Sequence, residues 1–475
     1  MPASIPVTAV FDIGKTNKKF LLFNRSFEVM EKEYITFKEK TDDDGFPSED
    51  LQSLTEWMDQ QLNRVLEAGR YRIMALNFST YGATLVHLGE HGDPVTPLYN
   101  YLKPYPEKLL KTLYRQFGGR EKFVLETASP PMGMLNSGLQ LYWLKHKKPE
   151  VFQKIRISLH FPQYLSYRYT GSAMSELTSI GCHTGLWNFR KFGYHEWVEK
   201  EGLSELFPEI VSAGNTTRGF FGESEFETGP GIHDSSAALV PYLYGLEVPF
   251  MLLSTGTWNI AMNPFNGEPL SFDELRKDCL SFINIYGEPV KAARFFLGNE
   301  YAHQKKKAGE HFNRDEEIQL DPALLKKLIR ENDPAKKLKL ETAHTSGPYP
   351  AKDPQNPASW DLSVFSSYEE ACHQLMLDLV SIQVDSIRLA QGSGRIDKMI
   401  VTGGFSQNLA FMSMLASCFP AIDIYTDSLS HASALGAAMV MQKRTSKAGE
   451  KVEEIMDLTR HEPLENTGIE TYKWK

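Results

Sequence analysis

Two segments of this chain share one plan, in which an apolar strand enters a short Gly/Thr turn and returns as a second apolar strand. The first covers residues 7–11, then Asp12-Ile-Gly-Lys-Thr-Asn17, then residues 20–23; the second covers 250–253, then Ser254-Thr-Gly-Thr257, then 258–262. A turn of this composition presents backbone N–H groups and Thr hydroxyls that can cradle phosphate oxygens, although the same residues also close an ordinary hairpin. Two such units in 475 residues predict an α/β protein of two similar lobes around a nucleotide.

The first turn imitates the end of a P-loop in Gly14-Lys15-Thr16. The glycine a P-loop needs five residues before its Gly-Lys is replaced by Ala9, inside an apolar strand, so that reading is rejected. Asp12 is ill suited to direct phosphate contact. It suits a hydrated cation that itself touches phosphate, as Mg²⁺ does with one or two carboxylates and retained waters.

A formal charge of -9 argues against a nucleic-acid or anionic-membrane binder. The first residues lack a basic segment followed by an apolar run, and no stretch approaches a membrane span, so a cytoplasmic protein is expected. Cys182, Cys279, Cys372 and Cys418 are far apart, without Cys-x-x-Cys spacing, and read as reduced thiols.

Periodicity predicts a helix over 51–68, strands over 73–78 and 84–88, and helices over 137–153 and 163–169, the last stopped by Gly171. Pro241, Gly245 and Pro249 mark a boundary, giving domains 1–243 and 244–450 with a peripheral tail over 451–475. Residues 305–357 read as a charged helical excursion with a loop over 345–357. A long amphipathic helix over 368–389 and a buried strand over 398–402 follow.

Between the two turns lies Gly229-Pro-Gly-Ile-His-Asp234-Ser-Ser-Ala-Ala238. Asp234 reads either as a helix N-cap or as a carboxylate that accepts the proton of an attacking hydroxyl. His233 reads as an orienting or internally satisfied histidine, because no second catalytic partner is evident beside it. In Val401-Thr-Gly-Gly-Phe-Ser-Gln-Asn408, Gly403 and Gly404 end a strand at a helix N-terminus. That arrangement is either a tight turn or a place where a nucleotide approaches backbone closely.

Taken together, Asp12-Ile-Gly-Lys-Thr-Asn, Gly231-Ile-His-Asp234, Leu253-Ser-Thr-Gly-Thr-Trp258, Thr402-Gly-Gly-Phe-Ser-Gln-Asn408 and Ser433-Ala-Leu-Gly-Ala-Ala438 resemble the FGGY carbohydrate kinases in order and spacing. Nearly the whole chain is covered, including residues 161–171, which look like the family's helix before a Leu-Thr-Gly turn. The resemblance implies two actin-like, ribonuclease-H-like domains with Mg·ATP and a sugar in the cleft between them. It places Asp12 near Mg²⁺, and Gly14, Thr16, Asn17 and Lys18 with Thr255, Gly256 and Thr257 around the phosphates. Gly403, Gly404, Gln407 and Asn408 then flank adenosine, and Asp234 matches the general base.

Residues 79–84 look closest to the rhamnulokinase branch, akin to fuculokinase, which puts Thr80, Tyr81, Gly82, Ala83, Asn100, His233 and Asp234 at the sugar. Two departures bear on the substrate. Thr84 stands where that branch commonly has an acidic residue, and Tyr99-Asn-Tyr-Leu-Lys103 replaces the family's Trp-x-Asp-x-Arg. Phe405 also stands where many members have a third glycine. The expected activity is ATP-dependent phosphorylation of a ketose hydroxyl, L-rhamnulose or L-fuculose first and a pentulose such as ribulose or xylulose second. An actin-like ATPase and a non-catalytic sugar sensor are the rival readings, and a homodimer is the base expectation for assembly.

Overall fold

The structure, a computed structural model, describes residues 4–82, 84–339, 358–429, 431–442, 455–465 and 467–473. They divide into two compact units: Met1–Gly245 with Ser281–Pro289 and His431–Ile455, and Leu246–Leu280 with Val290–Ser430 and Met456–Lys475.

The first unit is built on strands β1 (Ile5–Ile13), β2 (Lys18–Phe23), β3 (Val29–Ile35), β4 (Tyr71–Thr80), β5 (Thr217–Phe221), β6 (Ser224–Thr228) and β7 (Ile232–His233). Their order is β5-β6-β4-β1-β2-β3, with β7 also paired to β4. The β1–β2 hairpin is antiparallel and β1 pairs in parallel with β4, so Asp12 lies opposite Lys19 on one side and Ser79 on the other. Strand alternation decides what each face does. Val7, Ala9, Phe11 and Ile13 join Leu54, Trp57 and Met58 of the helix Leu51–Ala68 in one core. Asp12 and, across the sheet, Asn77 are thereby turned to the other face. There the helices Asp234–Gly245 and Ala432–Met439 pack so closely that a Cβ on Gly436 would meet the Ala237 carbonyl at 1.9 Å.

The second unit repeats the scheme with β8 (Phe250–Thr255), β9 (Asn259–Asn263), β10 (Pro289–Phe295), β11 (Lys398–Gly403), β12 (Asp423–Asp427) and β13 (Leu458–His461), in the order β10-β9-β8-β11-β12-β13. Again the hairpin β8–β9 is antiparallel and β8 pairs in parallel with a later strand, β11, placing Thr255 opposite Gly403. The helix Tyr368–Gln391 is buried along most of its length.

Two expectations need correction. The helix expected over 137–153 breaks after Lys147, because Pro149 lacks an N–H and forces Lys148 out of helical geometry, so a separate turn of helix covers Pro149–Phe152. The expected peripheral tail is partly integrated: β13 extends the second sheet, and the Tyr472 hydroxyl donates to Asp378 Oδ1 (2.5 Å) while accepting from Gln374 Nε2 (2.7 Å). The loop expected over 345–357 lies outside the described residues.

Asp378 is fully buried, and burial pushes its carboxyl up to about 7. Tyr472→Phe removes one of its few donors and is expected to cost about 1–3 kcal/mol, the desolvation penalty of a stranded polar group. Urea denaturation checks this; an unchanged midpoint would mean the tail contributes nothing.

Candidate active site

The polar face of the first unit gathers Asp12 and Asp234. Asp12 sits at the end of β1, almost fully buried, with Oδ2 accepting from Lys19 Nζ (3.1 Å) and Ser433 Oγ (2.9 Å). Asp234 opens its helix and accepts from the Ser235 hydroxyl (3.2 Å). Burial, reinforced by the charge of Asp12, pushes the Asp234 carboxyl up to about 7, against weaker opposing help from Ser235 and Lys19. It is therefore poised between proton donor and acceptor near neutral pH.

Asn77 orders the framework around these acids. Its Nδ2 donates to the Ala437 carbonyl (2.8 Å) and its Oδ1 accepts from Gly231 N (3.1 Å), tying β4 to both the turn before Asp234 and the helix behind Asp12. Glu176 accepts from Thr178 N and Oγ1, and Thr178 Oγ1 in turn accepts from His233 N (3.0 Å), fixing the residue next to Asp234.

The sequence-derived phosphate residues of the first turn divide into two groups. Gly14 closes the hairpin through its N–H to the Asn17 carbonyl (3.0 Å), while Thr16 and Asn17 are exposed. Lys18, by contrast, is 2 % exposed, with its ammonium held by Glu49 and the Lys15 carbonyl. Its expected role on phosphate is corrected: β2 alternation turns Lys18 inward and Lys19 toward Asp12.

The expected sugar residues also separate. Thr80 is fully buried and its hydroxyl donates to the Tyr81 carbonyl, so it is a structural residue. Tyr81 donates to Glu49 (3.2 Å) and stands edge-on to Tyr101. Asn100 donates to Glu39 (3.0 Å), and Thr84 to the Tyr99 carbonyl (3.3 Å). Gly82 is needed where it is, since a Cβ there would lie 2.5 Å from Cys182 Sγ. Ala83 is outside the described residues.

His233 is buried with both ring nitrogens engaged by protein groups, Nδ1 near Ser236 Oγ and Nε2 near Cys182 Sγ, which leaves neither for a sugar hydroxyl. Tyr99 and Lys103 belong elsewhere: Lys103 bridges Asp42 and Asp44 and lies over the Tyr99 and Trp143 rings. Asp42, Asp43 and Asp44 cluster closely enough to suggest a cation, but Lys103 and Lys148 already neutralise them.

A magnesium ion fits the site at Asp12. Both described partners bind Oδ2, leaving Oδ1 for a water of a hydrated cation, and one open carboxylate oxygen is what an ion that keeps most of its waters requires.

In the second unit the turn after β8 borders a groove of about 1040 Å³ lined by Gly256, Thr257, Gly298, Tyr301, Gly404 and Gln407 among others. Gly256 N–H is held by Asn259 Oδ1 (3.2 Å), and Asn259 in turn donates to Gln383 of the long helix. Thr257 is exposed. The Thr255 hydroxyl donates to the Thr402 carbonyl and accepts from Phe405 N (3.0 Å), so this residue shapes the turn and offers no hydroxyl to a phosphate. Asn408 Oδ1 caps the following helix at Phe411 N (2.9 Å), leaving only its amide for a ligand. Phe405 is turned into the wall, edge-on to Tyr301.

Gly298, Asn299 and Tyr301 were not anticipated. A Cβ on Gly298 would meet the Gly256 carbonyl at 1.9 Å, which is how the helix Leu297–Phe312 reaches the turn. Its signal in the sequence is a glycine in the first turn of a helix, where none is needed for capping. Glu39, Glu49 and Cys182 have no local signal pointing to the site, whereas Tyr101 and Ser433 lie inside segments that the sequence singles out.

Residues 7–231 match the N-terminal domain of the FGGY family of carbohydrate kinases, and residues 247–449 match the carbohydrate kinase FGGY C-terminal domain. The chain belongs to the FGGY family of carbohydrate kinases.

It is similar to a rhamnulokinase of Halalkalibacterium halodurans, 26% identical over 44% of this chain and 46% of the relative. An L-fuculokinase of Haemophilus influenzae is 24% identical over 54% and 57%. The chain thus spans about half the length of the curated relatives it matches. Among solved structures, a carbohydrate kinase from Novosphingobium aromaticivorans has a TM-score of 0.78 at 24% identity, covering 98% of this chain and 96% of that one. A xylulose kinase from Lactobacillus acidophilus gives 0.78 at 15% identity with the same coverages. These likenesses show the two-domain, actin-like fold. Among the described residues no helix is long and apolar enough to cross a membrane.

Proposed function

We propose that the protein transfers the γ-phosphoryl group of ATP to a hydroxyl of a neutral ketose, with Asp234 accepting that hydroxyl's proton. The observation that carries this reading is a carboxylate at the first position of its helix, in the same unit as a second acid that has an oxygen to spare and whose charge helps hold the first above the ordinary carboxylate range. Phosphoryl transfer needs mainly positioning and charge stabilisation, so one general base and a set of phosphate donors suffice. Magnesium, when bound through its waters at Asp12, supplies charge neutralisation on the phosphates. Thr16 and Asn17 in the first unit and Thr257 in the second serve the phosphates, Gly14 and Gly256 shape the turns that present them because their own N–H groups are spent within the protein, and Gly403, Gly404 and Gln407 serve the nucleoside.

For the acceptor, the relatives named rhamnulokinase and L-fuculokinase support a 6-deoxyketose first. The absence of a carboxylate at Thr84, whose hydroxyl is spent on Tyr99, keeps a pentulose such as xylulose as the second reading. A panel of ketoses, aldoses and polyols in one ATP-consumption assay tests both, with ketose-dependent turnover expected. Turnover indifferent to sugar would favour an actin-like ATPase, and sugar binding without ATP consumption a sensor.

Thr257→Ala removes an exposed hydroxyl at the groove and is expected to lower kcat more than it raises KM for ATP, the mark of a contact made in the transition state. Unchanged kcat with raised KM would assign Thr257 to ground-state binding.

A further inference from the structure

The geometry points to Ser236 as a positioning residue that locks His233 in its Nδ1–H tautomer, so that Nε2 has no hydrogen to donate to Asp234 and leaves that carboxylate strongly basic. The inference rests on the reading of Asp234 as general base.

The argument is one of donors and acceptors. Ser236 Oγ lies 2.8 Å from the Ile283 carbonyl, which can only accept, so the hydroxyl spends its single proton there. Toward His233 Nδ1, 3.3 Å away, Ser236 is left as an acceptor, and the ring must supply the proton. Burial lowers His233 to about 3, so the ring is neutral and carries one proton only, which places a lone pair on Nε2.

Two groups approach that lone pair: Cys182 Sγ at 3.0 Å and Asp234 Oδ1 at 3.2 Å. An ionised Asp234 meets no N–H there and gains no hydrogen bond from the ring. The opposite tautomer would donate Nε2–H to the carboxylate and weaken it as a base.

The other charged or titratable groups facing this pair are accounted for. Asp12 raises and Lys19 lowers the proton affinity of Asp234, Tyr101 faces it from the loop, and His183 and His160 act on His233 in the direction that keeps it neutral. None of them selects a tautomer, whereas Ser236 does.

The test is ¹⁵N NMR of the full chain labelled at histidine, with the His233 signals assigned by their loss in His233→Gln. A protonated Nδ1 and an unprotonated Nε2 are expected throughout the neutral range; a protonated Nε2 in the wild type would overturn the inference. In Ser236→Ala the two tautomers should mix, and the acid limb of kcat/KM for the sugar should move down by about one pH unit, a tenfold change in proton affinity. An unmoved limb in a folded Ser236→Ala protein would also overturn it. The wild-type spectrum decides the matter even where that variant fails to fold. Asp234→Asn separates the two claims: retained turnover there defeats the general-base reading, while the tautomer is measured independently of turnover.

Discussion

Asp234→Asn is expected to lower sugar phosphorylation by about 10²–10⁴-fold while ATP still binds, because the amide keeps the shape of the side chain but cannot take a proton. In the wild type, kcat/KM for the sugar should rise as pH passes through about 7, following ionisation of Asp234. The stability effect runs the other way. Burial and Asp12 raise the folded pKa above the ordinary 3.8, so the folded protein holds this proton more tightly than the unfolded chain does. Stability contributed by protonated Asp234 is complete below the unfolded value and is lost as pH climbs to about 7. The Asn variant escapes that loss. It should unfold at a higher temperature than wild type at about pH 8 and lose this advantage as pH falls toward about 4. A variant that is inactive and also less stable at alkaline pH would point to a structural role for Asp234.

Gly403→Ala is the second large effect. Gly403 has φ +86°, and a Cβ there would lie 1.8 Å from the Thr255 carbonyl oxygen, which belongs to the paired strand and cannot move aside. Left-handed strain and overpacking together are expected to cost on the order of 3 kcal/mol in stability. The damage also falls on the turn that carries Thr257, so ATP affinity should weaken by about tenfold or more, as a loss of about 1.4 kcal/mol would give. Calorimetric unfolding and nucleotide titration check the two parts. Gly404→Ala is the control: nothing lies within 4 Å of its would-be Cβ, so the fold should survive and any loss should appear in nucleotide binding alone.

The places of these two residues in the fold, at a helix start and a strand end, were legible from sequence for a physical reason. A carboxylate after a Gly-x-His turn and a pair of glycines ending an apolar strand are local chemistry, visible without knowing what packs against them. The two hairpins were legible likewise, since the apolar runs are short and the turn residues sit between them. Lys18 was misread because the side a lysine faces depends on strand register, and Lys19 one position later holds the place beside Asp12. Thr255 was misread because its hydroxyl is used by backbone groups of neighbouring elements; Asn408 caps its helix through Oδ1 and also lines the groove beside Gly404 and Gln407. Ser236 and Ser433 lie inside segments singled out from sequence, but their contacts with Ile283 and Asp12, like the approach of Cys182 to His233, are set by tertiary packing that no local pattern announces. Pro149 is a plainer case, where a local breaker outweighed an otherwise continuous helical pattern.

The most direct test of phosphoryl transfer is a single-turnover reaction with ATP labelled in its γ-phosphoryl group, run with and without a ketose. The label is expected on the sugar, in an amount matching the ATP consumed, with transfer by Asp234→Asn slowed by about 10²–10⁴-fold. Label released as inorganic phosphate at the same rate whether or not sugar is present would contradict the account.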